Sequence, residues 1–197
     1  MLKIVRQNKI NMVIYYLGDI MNIDVIKVGR LRCNCYILDI DNNVLIIDPG
    51  DEFNKIDKVI DGRNVVGIII THHHFDHVGA VDDILKKYKT VVYDRNNLKE
   101  GINKIDKFIF EVIYTPGHKE DLITLYFKKE KVMFCGDFIF KDSIGRCDLE
   151  GSNVSDMEQS IDKIKKYDRD TIIYPGHGKE TSLGYEIDNN VYFRGII

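Results

Sequence analysis

The most constraining stretch of this sequence is Thr71-His72-His73-His74-Phe75-Asp76-His77-Val78-Gly79, which holds four of the six histidines of a 197-residue chain. Just before it runs Val65-Val66-Gly67-Ile68-Ile69-Ile70, an apolar run of strand length. Just after it, apolar Val78, Val81, Ile84, Leu85 and Tyr88 recur at spacings of three and four, which predicts a helix. The cluster therefore occupies a turn at the C-terminal end of a strand, where open α/β architectures place their ligands. Neutral imidazoles and a carboxylate crowded into one turn are the donors that borderline divalent metals prefer. A solvated polar turn is the plain alternative, but it seldom carries four imidazoles behind a buried strand. An affinity tag would sit at a terminus.

Strand and helix patterns alternate along the rest of the chain. Residues 1–20 carry no clear period, although Met12-Val13-Ile14-Tyr15-Tyr16-Leu17 reads as a short strand. From Met21 an antiparallel meander is expected: a loosely alternating 23–28, an apolar 33–38, then Val44-Leu45-Ile46-Ile47 after the turn Asp41-Asn42-Asn43. A helix follows over Phe53–Ile60. Further strands are expected at 90–93, Phe108–Tyr114, 122–127, 131–135 and 171–174, the middle pair joined through Lys128-Lys129-Glu130. Ser155 and Glu158 have capping-box spacing, which predicts a helix starting there. These elements imply an α/β chain of two mixed sheets packed face to face with helices outside. No linker or domain boundary is visible, so residues 21–197 read as a single domain preceded by an extension, 1–20, of uncertain order.

Apolar residues at 44% and charged residues at 30% describe an ordinary globular chain, and a net charge of −3 gives no general attraction to nucleic acid or anionic membranes. No apolar run reaches the roughly 18 residues of a membrane span. Cys33 and Cys35 share one face of an apolar strand, Cys135 lies in another, and Cys147 in a polar loop is expected to be the exposed one. This pattern is no disulfide framework. It suits a reducing cytoplasm, and no signal peptide is seen.

His118, Asp137 and His177 each follow an apolar strand, as His72 does. Two of them stand in near-identical Pro-Gly-His turns, Pro116-Gly117-His118 and Pro175-Gly176-His177. Alone, each has a bland reading as a turn residue; together they gather five of the six histidines into one site. At this point the sequence resembles the metallo-β-lactamase superfamily, and within it the small glyoxalase II-like (hydroxyacylglutathione hydrolase-like) hydrolases. The resemblance rests on Thr71-His72-x-His74-x-Asp76-His77, Thr115-Pro116-Gly117-His118, Gly136-Asp137, Gly145-Arg146-Cys147-Asp148-Leu149 and Pro175-Gly176-His177-Gly178. It implies a four-layer αββα sandwich with metals at one edge of the sheets. It also implies that His72, His74 and His118 hold one ion, that Asp76, His77 and His177 hold a second, and that Asp137 bridges them. Asp76 and Asp137 are then the candidate catalytic residues. His73 matches no ligand position, and Asp48 stands where the family supports its site from behind.

Such a set makes chemical sense. Two divalent ions, zinc foremost and iron or manganese also fitting, retain surplus positive charge after Asp76, Asp137 and a hydroxide are counted. The expected reaction is attack of hydroxide on a small thioester such as S-lactoylglutathione, or a related ester. A thiolate leaves readily because thiol pKa is about 8.5, so no strong general acid is required. The sequence departs from full-length glyoxalase II in having only about twenty residues after His177, so the helical glutathione-binding region is expected to be missing. Tyr185, Tyr192 and Arg194 lie there without an assignable partner, and Gly79-Ala80 replaces the frequent Gly-Gly. Arg146 and Asp148 either touch substrate or brace their loop.

The nearest alternative is a persulfide dioxygenase with one iron on the same fold. A nucleic-acid hydrolase would want a basic surface, and a flavodiiron-type domain would want Glu in place of His74. A non-catalytic metal-binding module needs a closed site of about four ligands per ion, and seven residues from four separated loops are more than that role requires. No nucleic acid and no membrane enter as partners, and the oligomeric state is unknown.

Overall fold

The computed structural model describes residues 20–195. The strand expected at 12–17 lies outside the described residues.

Strands β1 (Asn22–Val28), β2 (Cys33–Ile40) and β3 (Asn43–Ile47) form the expected antiparallel meander. Its second turn is a two-residue hairpin in which Asp41 and Asn42 both take positive φ (50° and 63°), the conformation that short polar side chains tolerate. Helix α1 (Phe53–Ile60) then returns the chain so that β4 (Asn64–Ile69) pairs parallel to β3. The histidine turn follows, then α2 (Phe75–Val78), α3 (Val81–Tyr88) and β5 (Val92–Tyr93), which is parallel to β4. The sheet order is β1-β2-β3-β4-β5.

The helix expected after the histidine turn is thus two helices, broken at Gly79-Ala80. The cause is a backbone crossing. Gly79 and Ala80 donate N–H to the carbonyls of Gly50 (3.0 Å) and Pro49 (2.9 Å), and a Cβ on Gly50 would fall 1.7 Å from the Asp76 carbonyl oxygen. Two loops pass here with no room for a side chain.

The second sheet contains β6 (Gly101–Ile105), β7 (Phe108–Tyr114), β8 (Ile123–Phe127) and β9 (Val132–Gly136) as antiparallel neighbours. A small hairpin, β10 (Ile139–Phe140) and β11 (Ser143–Ile144), leads to α4 (Val154–Ile164). Strand β12 (Ile172–Pro175) joins parallel to β9, followed by β13 (Thr181–Ser182), α5 (Leu183–Asn189) and a 3-10 turn, Val191–Arg194. The order is β13-β12-β9-β8-β7-β6. Helix α4 is capped by Asn153, whose side chain accepts the Asp156 N–H at 3.0 Å, not by Ser155 as expected. Asn153 is extended and offers its acceptor two residues earlier, so Ser155 falls inside the helix.

Three buried clusters define four layers. Leu38, Leu45 and Ile47 face Phe108, Phe110, Phe127 and Phe134 between the sheets. Ile37, Val44, Ile46 and Ile68, on the other face of the first sheet, are covered by Ile56 and Ile60 of α1 and Ile84 of α3. Ile113, Met133 and Ile173 of the second sheet are covered by Met157, Ile161 and Ile164 of α4 and by Leu183. The result is the αββα sandwich anticipated from the sequence. Cys33 and Cys35 both join the outer cluster of the first sheet, on one face as their spacing required. Among the described residues no helix is long and apolar enough to cross a membrane.

Candidate metal centre

Every candidate ligand follows a strand end. Asp48 comes after β3, and the turn carrying His72 and His74 comes after β4, with Asp76 and His77 on α2. His118 follows β7, Asp137 follows β9 and His177 follows β12. Strands β3 and β4 run parallel, as do β9 and β12, so these loops open at one edge of the sandwich and their side chains meet there.

Two groups of donor atoms result. His74 Nδ1 lies 3.0 Å from both His72 Nε2 and His118 Nε2. Beside this trio, His177 Nε2 lies 3.1 Å from Asp76 Oδ2, and His77 Nε2 lies 4.0 Å from the same oxygen. Asp137 joins the groups: its Oδ2 is 3.6 Å from both His118 Nε2 and His177 Nε2, and its Oδ1 is 3.4 Å from His77 Nε2. A Cβ on Gly176 would fall 2.1 Å from Asp137 Oδ1, so the second Pro-Gly-His turn carries glycine where the carboxylate needs the space. All seven residues predicted from the sequence converge.

The outward nitrogens of four of these histidines are committed to partners. His118 Nδ1 faces the Arg146 carbonyl at 2.9 Å and His177 Nδ1 the Leu31 carbonyl at 3.1 Å, so both donate there. Asp48 fixes the other two. Its Oδ2 accepts from His77 Nδ1 (2.9 Å) and from the Thr71 hydroxyl (2.7 Å), while Oδ1 accepts the Thr71 backbone N–H (2.8 Å). With its proton spent on Asp48, Thr71 Oγ1 is left to accept from His72 Nδ1 at 3.1 Å. Each ring therefore turns Nε2 inward with Nδ1 committed elsewhere, the orientation a metal ligand needs. Asp48 holds φ at 51°, a strained value for a non-glycine residue that its three hydrogen bonds support.

Electrostatics match this geometry. Burial, and then the neighbouring rings, push His72 well below the ordinary histidine pKa. Burial likewise lowers His74. For His77, burial opposes charge, but Asp48 and Asp137 outweigh it and hold the pKa well above the usual value. His177 is raised in the same contest by Asp76 and Asp137. His77 Nε2 and Asp137 Oδ1 are buried without hydrogen-bond partners. A ring nitrogen beside a carboxylate, both cut off from water, favours positive charge between them, which a metal ion can supply in place of a proton. The residues present fit divalent metal.

Arg146 makes a two-pronged ion pair with Asp148 (2.6 and 2.7 Å), which braces their exposed loop. Cys147 is the least buried of the four cysteines, as anticipated, though it is half-buried against the α4 cluster. His73 points away from the other histidines, to Asp121 and Asp94. The relay through Thr71 and the carbonyls of Leu31 and Arg146 went unassigned in the sequence, because a hydroxyl or a carbonyl carries no motif of its own. Cys33 Sγ lies 3.7 Å from His77 Nδ1, and burial pushes this thiol up to about 11.

The chain belongs to the metallo-beta-lactamase superfamily, whose family model matches residues 28–99 and 94–177. It is a metal-dependent hydrolase of that fold. The sequence is similar to the probable metallo-hydrolase YqgX of Bacillus subtilis, at 32% identity over 86% of this chain and 96% of the relative. It is also similar to the hydroxyacylglutathione hydrolase GloC of Haemophilus influenzae, at 29% identity over 87% and 98%. Among solved structures, the BLEG-1 B3 metallo-beta-lactamase superposes with a TM-score of 0.83 at 30% identity, covering 87% of this chain and 99% of the other. TTHA1623, solved in a di-iron-bound form, gives 0.80 at 28% identity over 86% and 99%.

Proposed function

We propose that residues 21–197 form a binuclear metal-dependent thioesterase of the glyoxalase II kind, acting on small thioesters such as S-lactoylglutathione or on related esters. One observation carries this reading. Asp137 Oδ2 stands 3.6 Å from a nitrogen of each donor group, a bridging position between two sites. In this assignment His72, His74 and His118 hold one ion, Asp76, His77 and His177 the other, and Asp137 both. The ions, zinc foremost with iron or manganese also suited to these donors, would supply hydroxide at neutral pH and positive charge to oppose the oxyanion.

The chain's own part is orientation and proton handling. Asp48, Thr71 and the carbonyls of Leu31 and Arg146 keep four rings in the ligating tautomer. Asp76 and Asp137 are the catalytic carboxylates, Asp137 standing between His118 and His177 and Asp76 beside His177, where a water proton can be accepted. The leaving thiolate needs no acid, which agrees with the lack of one among the converging residues. Likeness to GloC supports a thioester substrate, and the reduced cysteines support a cytoplasmic setting. Nucleic acid and membrane have no part in it.

A second reading draws on the three-histidine trio, which is complete by itself: a one-iron persulfide dioxygenase on the same fold. The test is metal analysis of the purified chain followed by assay on S-lactoylglutathione. About two ions per chain with thioester cleavage supports the hydrolase. One iron, no cleavage and oxygen uptake with glutathione persulfide moves the assignment to the dioxygenase. No metal after reconstitution removes both.

A further inference from the structure

His73 is the one histidine that contributes no atom to the two donor groups, yet it lies between two residues of the first. Its ring is held from both sides. Nδ1 is 2.6 Å from Asp121 Oδ2, and Nε2 is 3.4 Å from Asp94 Oδ2. Its backbone N–H also donates to Asp121 Oδ2, at 3.1 Å. The other oxygen of this carboxylate, Oδ1, is buried without a partner. Asp121 therefore depends on His73 for the contacts at its working oxygen.

Asp121 belongs to the loop that presents His118. That loop is closed by its own backbone: the Thr115 N–H donates to the Leu122 carbonyl at 3.1 Å and the Leu122 N–H to the Lys119 carbonyl at 3.3 Å. A loop stitched in this way moves as a unit, so displacing Asp121 displaces His118. It meets the His72–His74 turn through the Ile123 N–H to the Thr71 carbonyl at 3.0 Å, through the His73 N–H to Asp121 Oδ2 at 3.1 Å, and through the His73 side chain. The three-histidine group draws its rings from just these two loops.

We propose that His73 is a positioning residue: by bonding Asp121 it locks the turn carrying His72 and His74 to the loop carrying His118, and so sets the affinity of the three-histidine site without ligating. The inference rests on the metal-site assignment above. Groups bonded directly to ligands are worth about 10- to 100-fold in metal affinity; His73 acts one contact further out and its N–H bond to Asp121 outlasts the side chain, so an effect of up to about 10-fold is expected.

The experiment titrates the apo-protein with Zn2+ against a chromophoric chelator, resolving two affinities. His118→Ala and His177→Ala identify which affinity belongs to which site. His73→Ala is expected to weaken the three-histidine site by up to about 10-fold and leave the other site and the apo melting temperature nearly unchanged. His73→Asn, whose amide nitrogen falls near the position of Nδ1, should restore most of the loss. His73→Gln, which reaches toward the Nε2 position and Asp94, should not. His73→Ala combined with Asp121→Ala should be no weaker than Asp121→Ala alone. Unchanged affinity in His73→Ala, equal loss at both sites, a fall confined to apo stability, or rescue by Gln as good as by Asn would each overturn the proposal. A wild-type chain in which His118→Ala removes no tight site would instead bring down the site assignment, and the lock with it.

Discussion

The Asp48 carboxylate accepts the Nδ1 proton of His77 at 2.9 Å. Through the Thr71 hydroxyl the same oxygen also commits the proton of His72, so one carboxylate sets two rings that belong to different donor groups. Asp48→Asn keeps the shape but replaces one acceptor oxygen by a donor. The expected result is a fall of about 10- to 100-fold in metal affinity with the fold retained. Chelator competition alongside circular dichroism checks this; wild-type affinity in a folded variant would contradict the relay.

Gly176→Ala tests how closely the second Pro-Gly-His turn approaches the bridging position. The added methyl would stand 2.1 Å from Asp137 Oδ1 and 2.8 Å from His77 Cε1, so the carboxylate must shift. Misplacement of about 1 Å at a reacting centre costs on the order of 100-fold in rate. Activity should fall by about that factor, with loss of metal measured on the same sample.

Metal withdrawal should lower stability. His77 Nε2 and Asp137 Oδ1 are buried without partners, so a bound cation stabilises the folded chain and not the unfolded one. Metal at about 100 times its dissociation constant adds about 2.7 kcal/mol. Thermal melting with and without chelator measures the difference, and identical melting curves would count against a site here.

Asp57 ties α1 to α3, accepting from Lys87 Nζ at 2.5 Å and from the Tyr88 hydroxyl at 2.6 Å. The Lys87 hydrogen bond, then that of Tyr88, holds the Asp57 carboxyl below its ordinary pKa. A carboxyl depressed in the folded state contributes stability that is present above its unfolded pKa and is lost as pH falls through the folded one. Asp57→Asn should cost about 1 kcal/mol at neutral pH, since the lysine partner is half exposed. It should also flatten the acid limb of the stability curve. Urea unfolding at neutral and acid pH shows whether the mutant and wild-type curves converge at low pH, as they must.

The legible parts of the fold were those with strong local signals. Helix α1 and strand β7 fall where period and apolar content place them. The histidines, Asp76 and Asp137 stand at strand ends because those residue types have few other reasons to cluster. Local sequence could not reveal the split between α2 and α3, because it comes from Gly50, which is remote in sequence and crosses at Gly79. Strand β6 is half polar, Gly-Ile-Asn-Lys-Ile, and is specified by pairing with β7 more than by its own pattern. Helix α5 has too few apolar residues for a period, and it is held instead by buried Glu186, which accepts from Thr181 and Asn190. The bond from His73 to Asp121 spans 48 positions of sequence and exists only once both sheets are in place.

The meeting of His74 and His118 joins residues 44 positions apart, one from each sheet. An ion shared by these rings acts as a removable cross-link between the two halves of the sandwich. Unlike a covalent bridge, which constrains the unfolded chain, it stabilises by binding the folded chain alone, and its release withdraws that binding free energy. Neither half alone carries a full ligand set. Chains cut between β5 and β6 should therefore reassemble in a metal-dependent way, with the ion serving as fastener as well as reagent.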